Sequence, residues 1–245
     1  MRDALPGSAS WEVDVTDGAA LARVAGEVVE HFGRVDVVIA NAGIAAGGSL
    51  LEADAASYDL VVEVNLLGSI RTVRAFLPAL VASRGYVLQV ASLAAMVPVP
   101  LISAYCASKS GVEAFARALR TELVFHGVRV GVAYLSWTDT DMVRGADLTP
   151  GLGSFRKKLP GLFGRTYPLE PTTARIVEGV ARRSPSVYGQ GWLRAVQVVR
   201  GSLPSIVART QGGQAGRAEA ALREGGVSAT RPVGAGGAAA IRPHQ

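Results

Sequence analysis

Three short, β-branched, apolar runs, Val35–Ala40, Tyr86–Ala91 and Val128–Leu135, recur along this chain with helical stretches between them. Runs of that length are strands, and strands apolar at nearly every position are buried on both faces, as in a parallel sheet covered by helices. The first stretch, Ala20–Phe32, has Leu21, Val24, Val28, Val29 and Phe32 at helical spacing behind Asp17-Gly18 as a start signal. Helical patterns follow over Ala55–Ser83, Ala104–Phe125 and Thr172–Arg183, and Ser186-Val187-Tyr188 reads as a further short strand. Strand and helix alternate, so the expected class is α/β with a doubly wound parallel sheet.

Composition narrows the classes of function. Of 245 residues 49% are apolar and 18% charged, enough to bury a full core and too apolar for a disordered chain. A single cysteine, Cys106, makes no internal bridge or cysteine-based metal site, the three histidines are scattered, and the expected compartment is the reducing cytoplasm. The opening Met1–Pro6 has no apolar core behind its arginine, so neither a secretory signal nor an anchor is expected. From Gly85 to Ser108 no residue is charged, yet Gln89, Pro98, Pro100 and Ser103 argue against a membrane span. The net charge of +5 carries no basic stripe interleaved with aromatics, so no nucleic-acid partner is expected.

The second half is more punctuated. Ala146–Leu169 holds Gly151, Gly153, Pro160, Gly161, Gly164 and Pro168 with Lys157, Lys158 and Arg165 between them, which predicts a mobile loop or lid over a site. Trp192, Val196, Val199, Leu203 and Ile206 form an apolar stripe that predicts a packed terminal helix. From Gln211 to Gln245 glycine and alanine dominate and aromatics are absent, so residues 210–245 are expected to be a disordered tail behind a domain spanning 1–209.

Chemistry is concentrated in the third helix, where Tyr105 and Lys109 stand one turn apart on one face and can share a ligand. A fixed cation beside a phenol favours phenolate, so the lysine is expected to lower the tyrosine pKa toward a useful range. Ser92 lies at the C-terminal end of the preceding strand, the edge where doubly wound sheets bind ligands. Asn41-Ala42-Gly43 ends the strand before it, and Asn65 sits in the intervening helix, so four elements converge on one crevice. Each residue also has a structural use open to it: Asn65 satisfied by backbone, Ser92 capping the chain reversal, Asp14 capping the helix behind it, Thr140 starting a helix.

Taken jointly and in order, Asp14-Val15-Thr16-Asp17, Asn41-Ala42-Gly43, Asn65, Ser92, Tyr105 to Lys109 and Thr140 within Asp139-Thr140-Asp141-Met142 make the sequence resemble the short-chain dehydrogenase/reductase family, over about Ala9 to Trp192. The resemblance implies a Rossmann-like fold and an NAD(P)-dependent oxidoreductase that interconverts an alcohol and a ketone or aldehyde by hydride transfer, with NAD and NADP not distinguished. It implies that Tyr105 is the general acid/base, that Ser92 hydrogen-bonds the substrate oxygen, that Lys109 holds the nicotinamide ribose, and that Asn65 fixes a water in a proton path. Asp14 and Val15 would contact adenine, Asn41, Ala42 and Gly43 the adenosine ribose side, and Thr140 the carboxamide or phosphate.

Two departures qualify that resemblance. The family's T-G-x-x-x-G-x-G phosphate turn does not occur, so the expected sheet is N-terminally truncated, without the first two strands and the glycine turn, and cofactor affinity is expected to suffer. Leu135-Ser136 stands where the family usually has Pro-Gly. The competing expectation is a non-catalytic Rossmann remnant acting as a binding or oligomerisation module. The substrate expected of an enzyme is a small alcohol or carbonyl compound, with a preference for a lipophilic one. In the third helix Val112, Phe115, Ala116, Leu119 and Leu123 make one stripe while Ala114, Ala118 and Thr121 leave a small-residue face. Family members commonly pair the two long helices across a two-fold axis, which implies a homodimer or homotetramer.

Overall fold

The computed structural model describes residues 7–149, 152–224, 230–233 and 237. The expectations for Met1–Pro6 and for most of the segment after Glu224 lie outside these residues. Helix α1 (Gly18–Phe32) leads to strand β1 (Val37–Ala40), then α2 (Ala55–Val62), a π-helical turn (Glu63–Gly68) and α3 (Ser69–Ser83). Strand β2 (Tyr86–Val90), α4 (Ser103–Leu123) and β3 (Arg129–Tyr134) complete the central units. After them come α5 (Asp141–Leu148), α6 (Leu152–Lys157), α7 (Leu169–Ala181), β4 (Ser186–Tyr188), α8 (Leu193–Val199) and α9 (Leu203–Glu224).

The four strands pair in chain order, all parallel, with Val38 opposite Val87, Val87 opposite Val130 and Val132 opposite Ser186. Alternate residues serve the two faces. Val38, Val87, Val130, Val132 and Tyr134 pack with Val73 and Leu80 of α3 and Val112, Ala116 and Leu119 of α4. Tyr86, Leu88, Ala133 and Val187 face the other way, against Ile176 and Val180 of α7. Helices therefore cover both faces, and the class is α/β and Rossmann-like, as expected.

The expectation that the first strand is buried on both faces fails. Val38 and Ala40 are buried, but Ile39 is 45% exposed on the α7 side, whereas all five residues of β2 are buried. Among the described residues β1 is hydrogen-bonded only to β2, and α7 packs on the opposite end of the sheet. Apolarity at every position does not distinguish a strand covered twice from one covered once.

Other differences lie in the helices. The pattern over Ala55–Ser83 is interrupted by the π turn, which adds a residue to one turn around Asn65. The punctuated stretch after Ala146, expected as a mobile loop or lid, holds the end of α5, the short helix α6 and a 3-10 turn (Gly161–Phe163). The expected disordered tail is helical through Glu224, because alanine, arginine, glutamine and glutamate favour helix strongly enough to outweigh the glycines between them. Beyond it, Pro232 bridges Ala46 and the Val233 N–H donates to the Ala45 carbonyl at 2.8 Å. No helix among the described residues is long and apolar enough to cross a membrane. The stripe on α4 is buried at Val112, Ala116, Leu119 and Leu123, and Ala114, Ala118 and Thr121 are exposed.

Candidate active site

The C-terminal ends of β1 and β2 and the first turns of α4 form the crevice. β2 runs into Ser92, whose hydroxyl accepts from the Ala94 N–H at 3.2 Å and so starts a 3-10 turn, Leu93–Ala95. The same hydroxyl and the Tyr105 phenol face one cavity, and the serine hydroxyl favours the phenolate. Tyr105 and Lys109 lie one turn apart on α4, with the Lys109 ammonium 5.8 Å from the tyrosine ring centroid. Lys109 is buried, and its Nζ donates to the Val90 carbonyl at 2.9 Å.

Asn65 ties this helix to the end of β1. Its Oδ1 accepts from the Ile44 N–H at 2.8 Å, and its Nδ2 donates to the Ile44 carbonyl and to Ser108 Oγ, each at 3.0 Å. Ser108 in turn donates to the Tyr105 carbonyl at 2.9 Å. The π turn presents Asn65 to both partners, and both protons of its amide are spent on them. Gly43 sits in the same knot: a Cβ there would lie 3.1 Å from Asn65 Oδ1 and 3.4 Å from Lys109 Nζ, so a side chain would push against both.

Burial dominates the electrostatics. It pulls the Lys109 pKa down to about 8, since a charged ammonium is poorly solvated there. It also raises the Tyr105 pKa above its ordinary value, a rise that the Ser92 hydroxyl partly offsets. The expectation that lysine lowers the tyrosine pKa is therefore overturned in this chain by itself. The burial that brings the two groups together weakens the cation and penalises the phenolate.

Ser92 and Tyr105 form the polar end of a cavity of about 240 Å³ whose remaining walls are almost wholly apolar. Ala94, Val97 and Ile102 line it from the core side, Trp137 and Met142 from the segment after β3, and Leu152, Leu159 and Phe163 from the lid expected over a site. The lid returns along Trp137–Asp139, with the Tyr167 N–H on the Trp137 carbonyl at 2.8 Å and the Asp139 N–H on the Tyr167 carbonyl at 2.9 Å. Leu203, Ile206, Val207 and Thr210 of α9 supply the last wall. Their i, i+3, i+4, i+7 spacing is a helical face; Leu203 and Ile206 belong to the stripe that predicts a packed helix, while Thr210 falls in the segment read as tail. Ser108 also escaped the sequence reading, because a serine inside a helix carries no signal of what it bridges.

The remaining expected residues make local contacts or lie exposed. Asp14 Oδ1 accepts from the Thr16 N–H at 2.8 Å, a turn that leads to Asp17, and Asp17 rather than Asp14 caps α1. Val15 packs over the π turn, where a Cβ on Gly68 would come within 2.7 Å of its Cγ2. Asn41 and Ala42 are exposed at the end of β1. Thr140 starts α5, with its hydroxyl 3.5 Å from the Val143 N–H.

A parallel sheet with helices on both faces, and a serine, tyrosine and lysine gathered at its C-terminal edge, define an α/β, Rossmann-like protein. The family model described as short chain dehydrogenase matches residues 6–150, and the chain belongs to that family. It is 38% identical over 134 residues to an uncharacterized NAD-dependent oxidoreductase of Mycobacterium tuberculosis, covering 54% of this chain and 49% of that protein. It is 32% identical over 196 residues to a protein of the same organism named as the oxidoreductase SadH, covering 78% and 70% of the two chains. The chain thus spans about half the length of the first of these relatives. Its fold is similar to that of a short chain dehydrogenase from Burkholderia cenocepacia crystallised with NADP, at a TM-score of 0.68, 24% identity, and 85% and 83% coverage.

Proposed function

We propose that this chain is an NAD(P)-dependent oxidoreductase that interconverts a lipophilic alcohol and its ketone or aldehyde. The observation that carries the reading is the pair of hydroxyls, Ser92 and Tyr105, at a polar end of an apolar cavity, with the Lys109 ammonium 5.8 Å from the tyrosine ring. In reduction the Tyr105 phenol gives its proton to the carbonyl oxygen, and in oxidation it takes the alcohol proton back. Ser92 already accepts from the Ala94 N–H, so its own proton is turned outward to stabilise charge on the substrate oxygen. The nicotinamide, when bound, supplies or removes the hydride.

The residues present fit the nicotinamide end of such a cofactor. Lys109 Nζ is a three-proton donor beside Gly43, so it can reach ribose hydroxyls where Gly43 leaves room. Asn65 acts chiefly as the tie between β1 and α4, keeping one lone pair of Oδ1 for a water. Asp14, Val15, Asn41, Ala42 and Thr140 keep the contacts implied by the resemblance. The pyrophosphate end fits less well, because among the described residues no glycine-rich turn opens a helix at the end of a strand. That supports a second reading, a non-catalytic binding or oligomerisation module. Titration of the purified chain with NADH and NADPH separates the two: saturable binding is expected, and none at millimolar cofactor would remove the enzyme.

Assembly follows from the exposed small-residue face of α4, which suits close approach of a symmetry-related helix. We expect a homodimer or homotetramer acting in the cytoplasm. Light scattering that returned a monodisperse particle of 25.4 kDa would refute the assembly.

A further inference from the structure

At the centre of the lid lies a cation that the chemistry above does not use. Arg156 on α6 is only 6% exposed. Its Nε donates to Asp147 Oδ1 at 2.5 Å and its Nη2 to Asp147 Oδ2, so the guanidinium clasps the carboxylate near the end of α5 with both prongs. Its Nη1 donates to the Gly164 carbonyl at 2.9 Å and to Thr166 Oγ1 at 3.0 Å. The guanidinium also stands 5.4 Å from the Trp137 ring centroid, and Trp137 Nε1 donates to the Phe163 carbonyl at 2.8 Å.

One side chain thus joins α5, α6, the 164–166 turn and the indole of Trp137. Trp137 and Phe163 are walls of the cavity, and Leu152 and Leu159 flank Arg156 along the chain and line it too. Burying a guanidinium is a poor route to stability, since apolar replacements of buried ion pairs often stabilise a fold, and its better-attested use is to fix one arrangement. The Ser92–Tyr105 end is held separately, by β2 and α4.

We propose that Arg156 is a positioning residue that fixes the outer wall of the cavity, Trp137 and Phe163, and thereby sets how well the site holds the apolar chain of its substrate. The proposal rests on the reading of the cavity as the substrate site. It predicts that loosening the wall weakens long-chain ligands and spares short ones, which reach only the polar end.

The test is displacement of the fluorophore 1-anilinonaphthalene-8-sulfonate from the full chain by pentan-2-one and by decan-2-one, a readout that needs neither cofactor nor turnover. For Arg156→Met, decan-2-one is expected to bind about tenfold more weakly, the weight of one methylene-sized contact, with pentan-2-one nearly unchanged. Arg156→Lys keeps the charge but not the planar fork and should behave like the methionine variant. Should either fail to fold, Asp147→Asn, which keeps the shape of the partner, is expected to show the same chain-length dependence at smaller size. Equal losses for both ketones, or none in variants whose circular dichroism matches the parent, overturn the proposal. A parent chain that releases the fluorophore to neither ketone overturns the cavity reading and the proposal with it. Displacement without NADH- or NADPH-dependent turnover counts against the oxidoreductase alone and supports the role of Arg156.

Discussion

Tyr105→Phe is expected to lower turnover by roughly two to four powers of ten, the usual weight of a general acid/base, while leaving NADH or NADPH binding nearly intact. The substitution removes one oxygen from a ring that belongs to α4 and lines the cavity beside Ser92, so it deletes the transferable proton without emptying the pocket. The cofactor contacts proposed for Lys109 and Gly43 do not depend on its hydroxyl. Steady-state rates with a long-chain ketone, set beside cofactor titration of the same variant, make the measurement. A phenylalanine variant turning over at near the parent rate would move the chemistry away from α4.

The second large effect runs through stability. Lys109 is 5% exposed and its pKa falls from 10.5 to about 8 by burial, so folding disfavours its charged form. Below pH 8 the folded chain carries the whole penalty. Between 8 and 10.5 the unfolded chain binds more protons than the folded one, and stability from this group rises with pH until the penalty is gone. At about 1.4 kcal/mol per pKa unit the penalty is roughly 3 kcal/mol at neutral pH. Losing the bond to the Val90 carbonyl returns about 1 kcal/mol of that. Lys109→Met is therefore expected to be more stable than the parent at pH 7 by roughly 2 kcal/mol, a rise in melting temperature of roughly 4–8 °C for a chain of this size. Its advantage should shrink as the pH approaches 10.5, and its activity should be lost. Denaturant melts of both chains at pH 7 and pH 10 decide the matter, since the difference between them cancels the other groups that titrate there. An advantage that ignores pH, or a methionine variant weaker at pH 7, would show that the burial penalty is not what governs Lys109.

These two residues, with Ser92 and Asn65, could be read from the chain because each sits in a strongly periodic element and at a fixed distance from a strand end. The α/β class was legible for the same reason: Tyr86–Val90 is apolar enough to mark a strand buried on both faces, and Val112, Ala116, Leu119 and Leu123 mark the buried side of α4. What escaped depends on neighbours far along the chain. Ile39 looks like its buried counterparts in β2, and only the position of α7 at the other end of the sheet decides that it is half exposed. The direction of the Tyr105 pKa was misjudged because a spacing of one turn conveys proximity but not burial, and burial is the larger influence here. The part of α9 beyond Arg209 lay in a segment whose glycines argued for disorder.

The π turn at Glu63–Gly68 works as a gear change. Each residue of an α-helix advances the side-chain direction by about 100°, so one additional residue in a turn resets the angular phase between what comes before and after it. Ahead of the slip, Val61 faces the Ile44 and Ala104 cluster beside the crevice, and behind it Val73 and Leu80 face the sheet. A single-residue deletion anywhere from Glu63 to Gly68 would restore a regular helix at the expense of that phase, swinging α2 away from α4 or α3 away from the sheet. Away from the buried Val64, Asn65 and Gly68 the segment can thus accept exchanges of side chain, but almost no change of length.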